Sequence, residues 1–88
     1  MAKNPIIADR LKVVARAPFK LYYEGEADVV SAINLVGQFD ILPGHADFFS
    51  ILEPGEIIID DGTKPSNIMV NNGIITVKQN EVLLFVNI

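Results

Sequence analysis

Apolar and polar residues alternate with a period of two along most of this chain. Across Arg10–Ala17, Leu11, Val13 and Ala15 face one way while Arg10, Lys12 and Arg16 face the other. That is the pattern of a strand with one buried face. Pro18 interrupts it, and a second run, Lys20–Glu24, carries Tyr22 and Tyr23 up to a bend or bulge expected at Gly25. Ala27–Ile33 reads as a third strand, and Phe39–Leu42 as a short fourth that Pro43-Gly44 ends. Ala46–Leu52 is apolar and strand-like, although its pattern also admits a single helical turn.

The second half reads as a run of hairpins. Pro54-Gly55 opens a strand over Glu56–Asp60, and Asp61-Gly62 is a two-residue turn signal leading into Lys64–Asn71. Asn72-Gly73 is a second such signal, because Asn and Gly tolerate the positive φ of a type I′ turn. Ile74–Lys78 follows, then a turn at Gln79-Asn80, then Val82–Ile88. Turn signals about every eight to ten residues with β-branched runs between them predict an all-β sandwich or barrel. No window forms a credible amphipathic helix longer than about two turns.

The last strand departs from the alternation. Val82, Leu84 and Val86 suit a core, yet Leu83 and Phe85 are apolar on the opposite face. Burying one such side chain stabilises by roughly 1.5–3 kcal/mol, so either a second layer or a partner is expected to cover them.

Composition narrows the picture. The 88 residues fit one domain spanning 1–88, and half of them are hydrophobic with a fifth charged, which excludes disorder. There is no cysteine, so neither disulfides nor thiolate–metal sites hold the fold. A net charge of −4 with scattered basic residues argues against nucleic acid. Five of the seven basic residues (Lys3, Arg10, Lys12, Arg16 and Lys20) lie near the N-terminus and read as a solvated face. The longest apolar run, Val82–Val86, is far short of the ~20 residues that a membrane span needs. Residues 1–9 hold no apolar signal core, so no direct membrane insertion is expected.

Candidate chemistry is sparse. His45 is the single histidine; with Asp40 and Asp47 it lacks the further ligands a metal site demands, and the expected reading is a polar loop in which His45 caps a turn. Asp60-Asp61 sits before Gly62, where turn chemistry outranks paired-carboxylate catalysis. Phosphate-binding glycine motifs and a Ser–His–Asp arrangement are both missing. The expectation is no catalytic residue, no metal and no cofactor. Glu53–Ile59 resembles a strand opening of the cupin barrel, but one histidine is too few for a cupin metal site. A small β-sandwich or cupin-like module binding a small ligand is the alternative that survives.

An ordered series of motifs adds a family resemblance. Ala17-Pro18 with Tyr23-Glu24-Gly25-Glu26, then Gly37-Gln38-Phe39-Asp40-Ile41-Leu42-Pro43-Gly44-His45-Ala46, are followed by Leu52-Glu53-Pro54-Gly55. Val70-Asn71-Asn72-Gly73-Ile74, with Val77 and Asn80-Glu81-Val82, closes the series. Together, over about Leu11 to Val86, they resemble the N-terminal β-sandwich domain of the F-type ATP synthase ε subunit, equivalent to the mitochondrial δ subunit. The resemblance implies a flattened sandwich of two antiparallel sheets. It implies a non-catalytic central-stalk subunit that couples the γ subunit to the polar loops of the c-ring in proton-driven ATP synthesis. It places such a chain on the F1 side of the coupling membrane, the cytoplasmic face in a bacterium. Carried over by position, Asn34, Leu35, Val36, Gly37 and Gln38 are the expected c-ring contact. His45, with its Pro43-Gly44 turn, and Leu83 and Phe85 are the expected γ contact.

Two departures qualify the resemblance. The family usually has Pro-Gly-x-Asp or a similar polar stretch where this chain has Ile33-Asn34-Leu35-Val36, which suggests a greasier contact. The chain also stops at Ile88, so no C-terminal helical hairpin is expected, and with it no inhibitory role and no nucleotide binding.

Overall fold

A computed structural model describes residues 10–88; the expectations placed on residues 1–9, including Lys3, lie outside them. Nine strands follow one another: β1 (Leu11–Ala17), β2 (Lys20–Ala27), β3 (Val29–Asn34), β4 (Gly37–Ile41), β5 (Phe48–Leu52), β6 (Gly55–Asp60), β7 (Pro65–Val70), β8 (Gly73–Lys78) and β9 (Glu81–Val86). They form a five-stranded sheet of order β2-β1-β9-β8-β5 and a four-stranded sheet of order β4-β3-β6-β7. The all-β sandwich is borne out, and among the described residues no helix forms. Ala46–Leu52 takes the strand option, as β5. One pairing is not antiparallel. β1 and β9, the first and last strands, run parallel, with Val13 opposite Val82 and Ala15 opposite Leu84. Parallel neighbours need a long crossover, and here it is the whole of the intervening chain.

The period-two pattern sorts side chains as expected. Leu11, Val13 and Ala15 of β1 and Val82, Leu84 and Val86 of β9 are buried, facing Val30, Ile57 and Ile59 of the other sheet. Among the described residues every buried side chain of the core is apolar. The interior therefore needs no polar partner, and burial alone drives assembly.

Three turn readings change. Gly25 lies inside β2 opposite Val13, and the irregularity falls instead where Ala15–Arg16 faces Tyr23 and Leu21, leaving Tyr22 as the extra residue of a bulge. The ring of Tyr23 lies across Gly25, 3.7 Å from where a Cβ would stand. Asn72-Gly73 is not a hairpin turn, because β7 and β8 belong to different sheets. Neither residue takes a positive φ; the consecutive positive φ angles of 51° and 65° belong to Gln79 and Asn80, in the β8–β9 hairpin. Asn72 and Gly73 instead carry the chain from one sheet to the other, where Asn87 ties the crossing down. Asn87 Oδ1 accepts from Asn71 N at 2.8 Å, and its Nδ2 donates to Tyr22 Oη at 3.1 Å.

Asp61-Gly62 does lie in a hairpin, but the loop runs from residue 61 to 64 between paired Asp60 and Pro65. Asp61 Oδ1 accepts from Thr63 N at 2.8 Å, Thr63 Oγ1 at 2.6 Å and Lys64 N at 3.0 Å. Asp60 Oδ1 accepts from Gly62 N at 2.9 Å. Both carboxylates thus fold the loop, as the turn reading has it. The hydroxyl of Thr63, then the amides of Lys64 and Thr63, hold the Asp61 carboxyl down at about 2, below its ordinary 3.8. The folded pKa is depressed, so the turn's support is complete above the ordinary value and is lost as pH falls through about 2. The Asp61 carboxyl carbon is expected to titrate with a midpoint near 2 by NMR, and Thr63→Ala to move that midpoint upward. A midpoint at the ordinary value in the unsubstituted chain would remove this account of the loop.

Candidate functional site

The outer face of the five-stranded sheet is organised by register into three rows that cross the strands. The first row reads Ile51, Ile74, Phe85, Arg16, Leu21. The second reads Phe49, Thr76, Leu83, Val14, Glu24. The third is charged with alternating sign: Lys78, Glu81, Lys12, Glu26. Opposite charges on adjacent strands attract across the ladder, so the third row balances itself. The first two rows leave an apolar surface: Phe85 is 36% exposed, Leu21 51%, Phe49 61% and Ile51 65%. The second sheet lies on the other side, so among the described residues no layer covers Leu83 and Phe85. Their apolar character is therefore not explained by the sandwich itself.

The second candidate surface is the β3–β4 turn. Asn34 pairs with Gly37, leaving Leu35 and Val36 as the turn's tip. They are 88% and 96% exposed. Asn34 Oδ1 accepts from Val36 N at 2.9 Å and Gly37 N at 3.2 Å, closing an Asx turn. Its Nδ2 donates to Ser50 Oγ at 3.1 Å, and Glu53 N donates to Ile33 O at 2.8 Å. The turn is thereby pinned to β5. A shallow depression of about 350 Å³ results, lined by Leu35 and Val36 on one side and by Phe49, Ile51 and Glu53 on the other. Gln38, next to Gly37 on β4, is exposed on the strand that leaves the turn.

His45 lies elsewhere. The β3–β4 turn marks one end of that hairpin, whereas His45 follows β4 at the other end. Gly44 N donates to Asn80 Oδ1 at 2.8 Å, which ties this loop to the β8–β9 turn. The His45 amide donates to Leu42 O at 3.1 Å, and its ring meets Phe48 edge-on with centroids 5.5 Å apart. The structure therefore brings Leu35 and Val36 to Phe49 and Ile51, and Leu83 and Phe85 to Ile74 and Val14, but does not bring His45 to either set. Phe49, Ile51, Ile74 and Val14 were missed by sequence reasoning. The signal was available as apolar doublets within strands (Val13-Val14, Phe48-Phe49, Ile51-Leu52, Ile74-Ile75), where alternation would place a polar residue.

These surfaces offer little to a catalyst or a small ligand. Asp40 Oδ1 accepts from Ser31 Oγ at 2.6 Å, and among the described residues no group of His, Cys, Asp or Glu is arranged to hold a metal. Another depression, of about 480 Å³, lies on the sheet face among Lys12, Val14, Glu24, Glu26, Glu81 and Leu83. Among the described residues no buried polar side chain points into it, whereas small-molecule sites combine enclosure with convergent polar groups. Arg10 bonds Asp28 Oδ1 at 3.0 Å and Glu26 Oε1 at 3.5 Å, which raises its pKa. It also donates to the Asp61 carbonyl, which ties the β2–β3 connection to the loop after β6.

Comparison with known proteins gives the family. Residues 10–88 match the family described as ATP synthase, Delta/Epsilon chain, beta-sandwich domain. The chain belongs to this family. It is 34% identical over 80 residues to the ATP synthase epsilon chain of Geobacter metallireducens, covering 91% of this chain and 58% of that one. It is 39% identical over 77 residues to the ATP synthase epsilon chain of Leptospira borgpetersenii, covering 88% and 61%. This delta/epsilon-type chain thus spans about three fifths of the length of these relatives. Its fold superimposes on a chain of the Euglena gracilis mitochondrial ATP synthase (OSCP/F1/c-ring) with a TM-score of 0.83 at 15% identity, covering 96% of this chain and 54% of that one. It also superimposes on a chain from the Tetrahymena thermophila mitochondrial ATP synthase central stalk and c-ring, with a TM-score of 0.74 at 19% identity, covering 89% and 63%.

Proposed function

We propose that this chain is a non-catalytic rotor subunit of an F-type ATP synthase, coupling γ to the c-ring on the F1 side of the coupling membrane. The observation that carries the reading, beside family membership, is the uncovered apolar surface built by the first two rows of the five-stranded sheet. Monomeric proteins rarely leave so continuous an apolar surface without a partner for it. In this proposal Leu83 and Phe85, with Ile74 and Val14, dock γ, and the turn Asn34–Gln38 meets the c-ring. His45 is a further γ-side residue at the opposite end of the sandwich, which requires γ to run along the length of the domain. Two hydrogen-bonded sheets around an all-apolar core supply the stiffness that torque transfer needs. No described helix is long and apolar enough to cross a membrane.

Co-expression with γ from the same organism, followed by size-exclusion chromatography, tests the proposal. A one-to-one complex is expected, and Phe85→Asp is expected to weaken it by about tenfold or more, as a buried aromatic anchor would. Elution of the chain alone at every concentration would overturn the docking role.

A further inference from the structure

Resting on the rotor reading, we infer that Arg16 sets the specificity of the γ-docking face. The γ surface that covers it presents an Asp or Glu carboxylate among apolar side chains. Arg16 is unlike the other cations of the five-stranded sheet. Lys12 and Lys78 belong to the charged third row, beside Glu81 and Glu26. Lys20 lies over the Tyr22 ring, 4.8 Å from its centroid. Arg16 alone stands in the first row, between Phe85 of β9 and Leu21 of β2. Its neighbours in sequence, Ala15 and Ala17, are buried, which fixes the Arg16 side chain on the outer face. That row holds no carboxylate, because the acidic residues of this face, Glu24, Glu26 and Glu81, stand in the second and third rows. Among the described residues Arg16 makes no ion pair.

Water solvates this guanidinium while the face is open. An apolar surface docked over Phe85 and Leu21 removes that water, and a buried charge without a counter-charge is strongly unfavourable. This face therefore rejects a wholly apolar partner and accepts one with a carboxylate placed between its apolar groups. Arginine suits the position better than lysine. Its guanidinium is more weakly hydrated, and its planar fork meets a carboxylate through two hydrogen bonds. A pair of this kind selects the partner and fixes its register more than it adds affinity.

Surface plasmon resonance of the chain against γ from the same organism tests this. Arg16→Met keeps an apolar stem and removes the charge. It is expected to weaken binding about thirtyfold or more, because the γ carboxylate is left buried and unpaired. Arg16→Lys keeps the charge and should lose only about three- to tenfold. Arg16→Glu sets like charges together and should lose more than Arg16→Met. Arg16 is exposed, so all three variants should unfold thermally as the unsubstituted chain does. In the Arg16→Lys complex, a carbodiimide that joins amines to carboxylates should link position 16 to an Asp or Glu of γ, as mapped by mass spectrometry. Binding by Arg16→Met as tight as the unsubstituted chain's, with Phe85→Asp still weakened, would overturn the inference and leave the rotor reading intact. The guanidinium would then reach water past the edge of the contact. Cross-links confined to the other lysines would overturn it in the same way. Full binding by both Arg16→Met and Phe85→Asp would remove the docking face and the inference with it. Absence of binding by the unsubstituted chain would remove the rotor reading itself.

Discussion

Leu84→Ala is expected to destabilise the fold by about 2–5 kcal/mol. Leu84 is fully buried on β9, the middle strand of the five-stranded sheet, paired with Ala15 of β1 on one side and Ile75 of β8 on the other. Strands on both sides limit how far the surroundings can collapse into the space left, so cavity loss adds to lost transfer energy. A domain of this size has a total stability of roughly 4–13 kcal/mol at the usual value per residue. The loss is therefore a large share of the whole. Urea unfolding followed by far-UV circular dichroism should show a lower midpoint with an unchanged slope. Leu83→Ala, one residue away on the outer face, should cost about 1 kcal/mol or less, because Leu83 is only half-buried. Equal effects at the two positions would mean that β9 does not present these faces as described.

Gly73→Ala is expected to cost about 1–3 kcal/mol, for a reason that its sequence context conceals. A Cβ there would stand 2.7 Å from the Phe85 carbonyl oxygen and 3.2 Å from Val86 Cα, both backbone atoms of the neighbouring strand. Neither can swing aside as a flexible side chain would, so the β8–β9 pairing must open where Gly73 faces Val86. At about 4–8 °C per kcal/mol for a domain of this size, 2 kcal/mol corresponds to a melting temperature lower by roughly 8–16 °C. Gly73→Asn separates the two readings of this position. In a type I′ turn Asn tolerates the left-handed backbone, whereas against the β9 backbone its larger side chain must do at least as much harm as Ala. An Asn variant as stable as the unsubstituted chain would restore the turn reading.

The docking surfaces follow from pairing register rather than from any single motif. Phe85 and Leu83 stand out within their own strand, but they join a surface only because β1, β8 and β5 bring Val14, Ile74, Phe49 and Ile51 into the same two rows. A shift of one residue in any of these pairings would turn those side chains inward and bring core residues such as Val13, Ile75 and Leu84 outward in their place. The buried partners Val13, Ile75 and Leu84 hold the register. The core that stabilises the sandwich therefore also composes its outer face.

The amino-acid sequence by itself determined that the chain is a set of short strands, which residues of β1 and β9 face the core, and that Leu83 and Phe85 lack a partner within their strand. Those properties are local: side chains alternate along a strand whatever it pairs with. The motif series likewise pointed to the family without reference to contacts. The tertiary structure alone decided which strands share a sheet, that the first and last run parallel, and that Asn72-Gly73 crosses between sheets instead of reversing a hairpin. It also decided that Leu35 and Val36 meet Phe49 and Ile51, while His45 lies at the far end of the sandwich. Turn propensity records which backbone angles a residue tolerates. Which sheet the next strand joins depends on apolar surfaces distant in sequence, and they are compared only when the two layers close over one core.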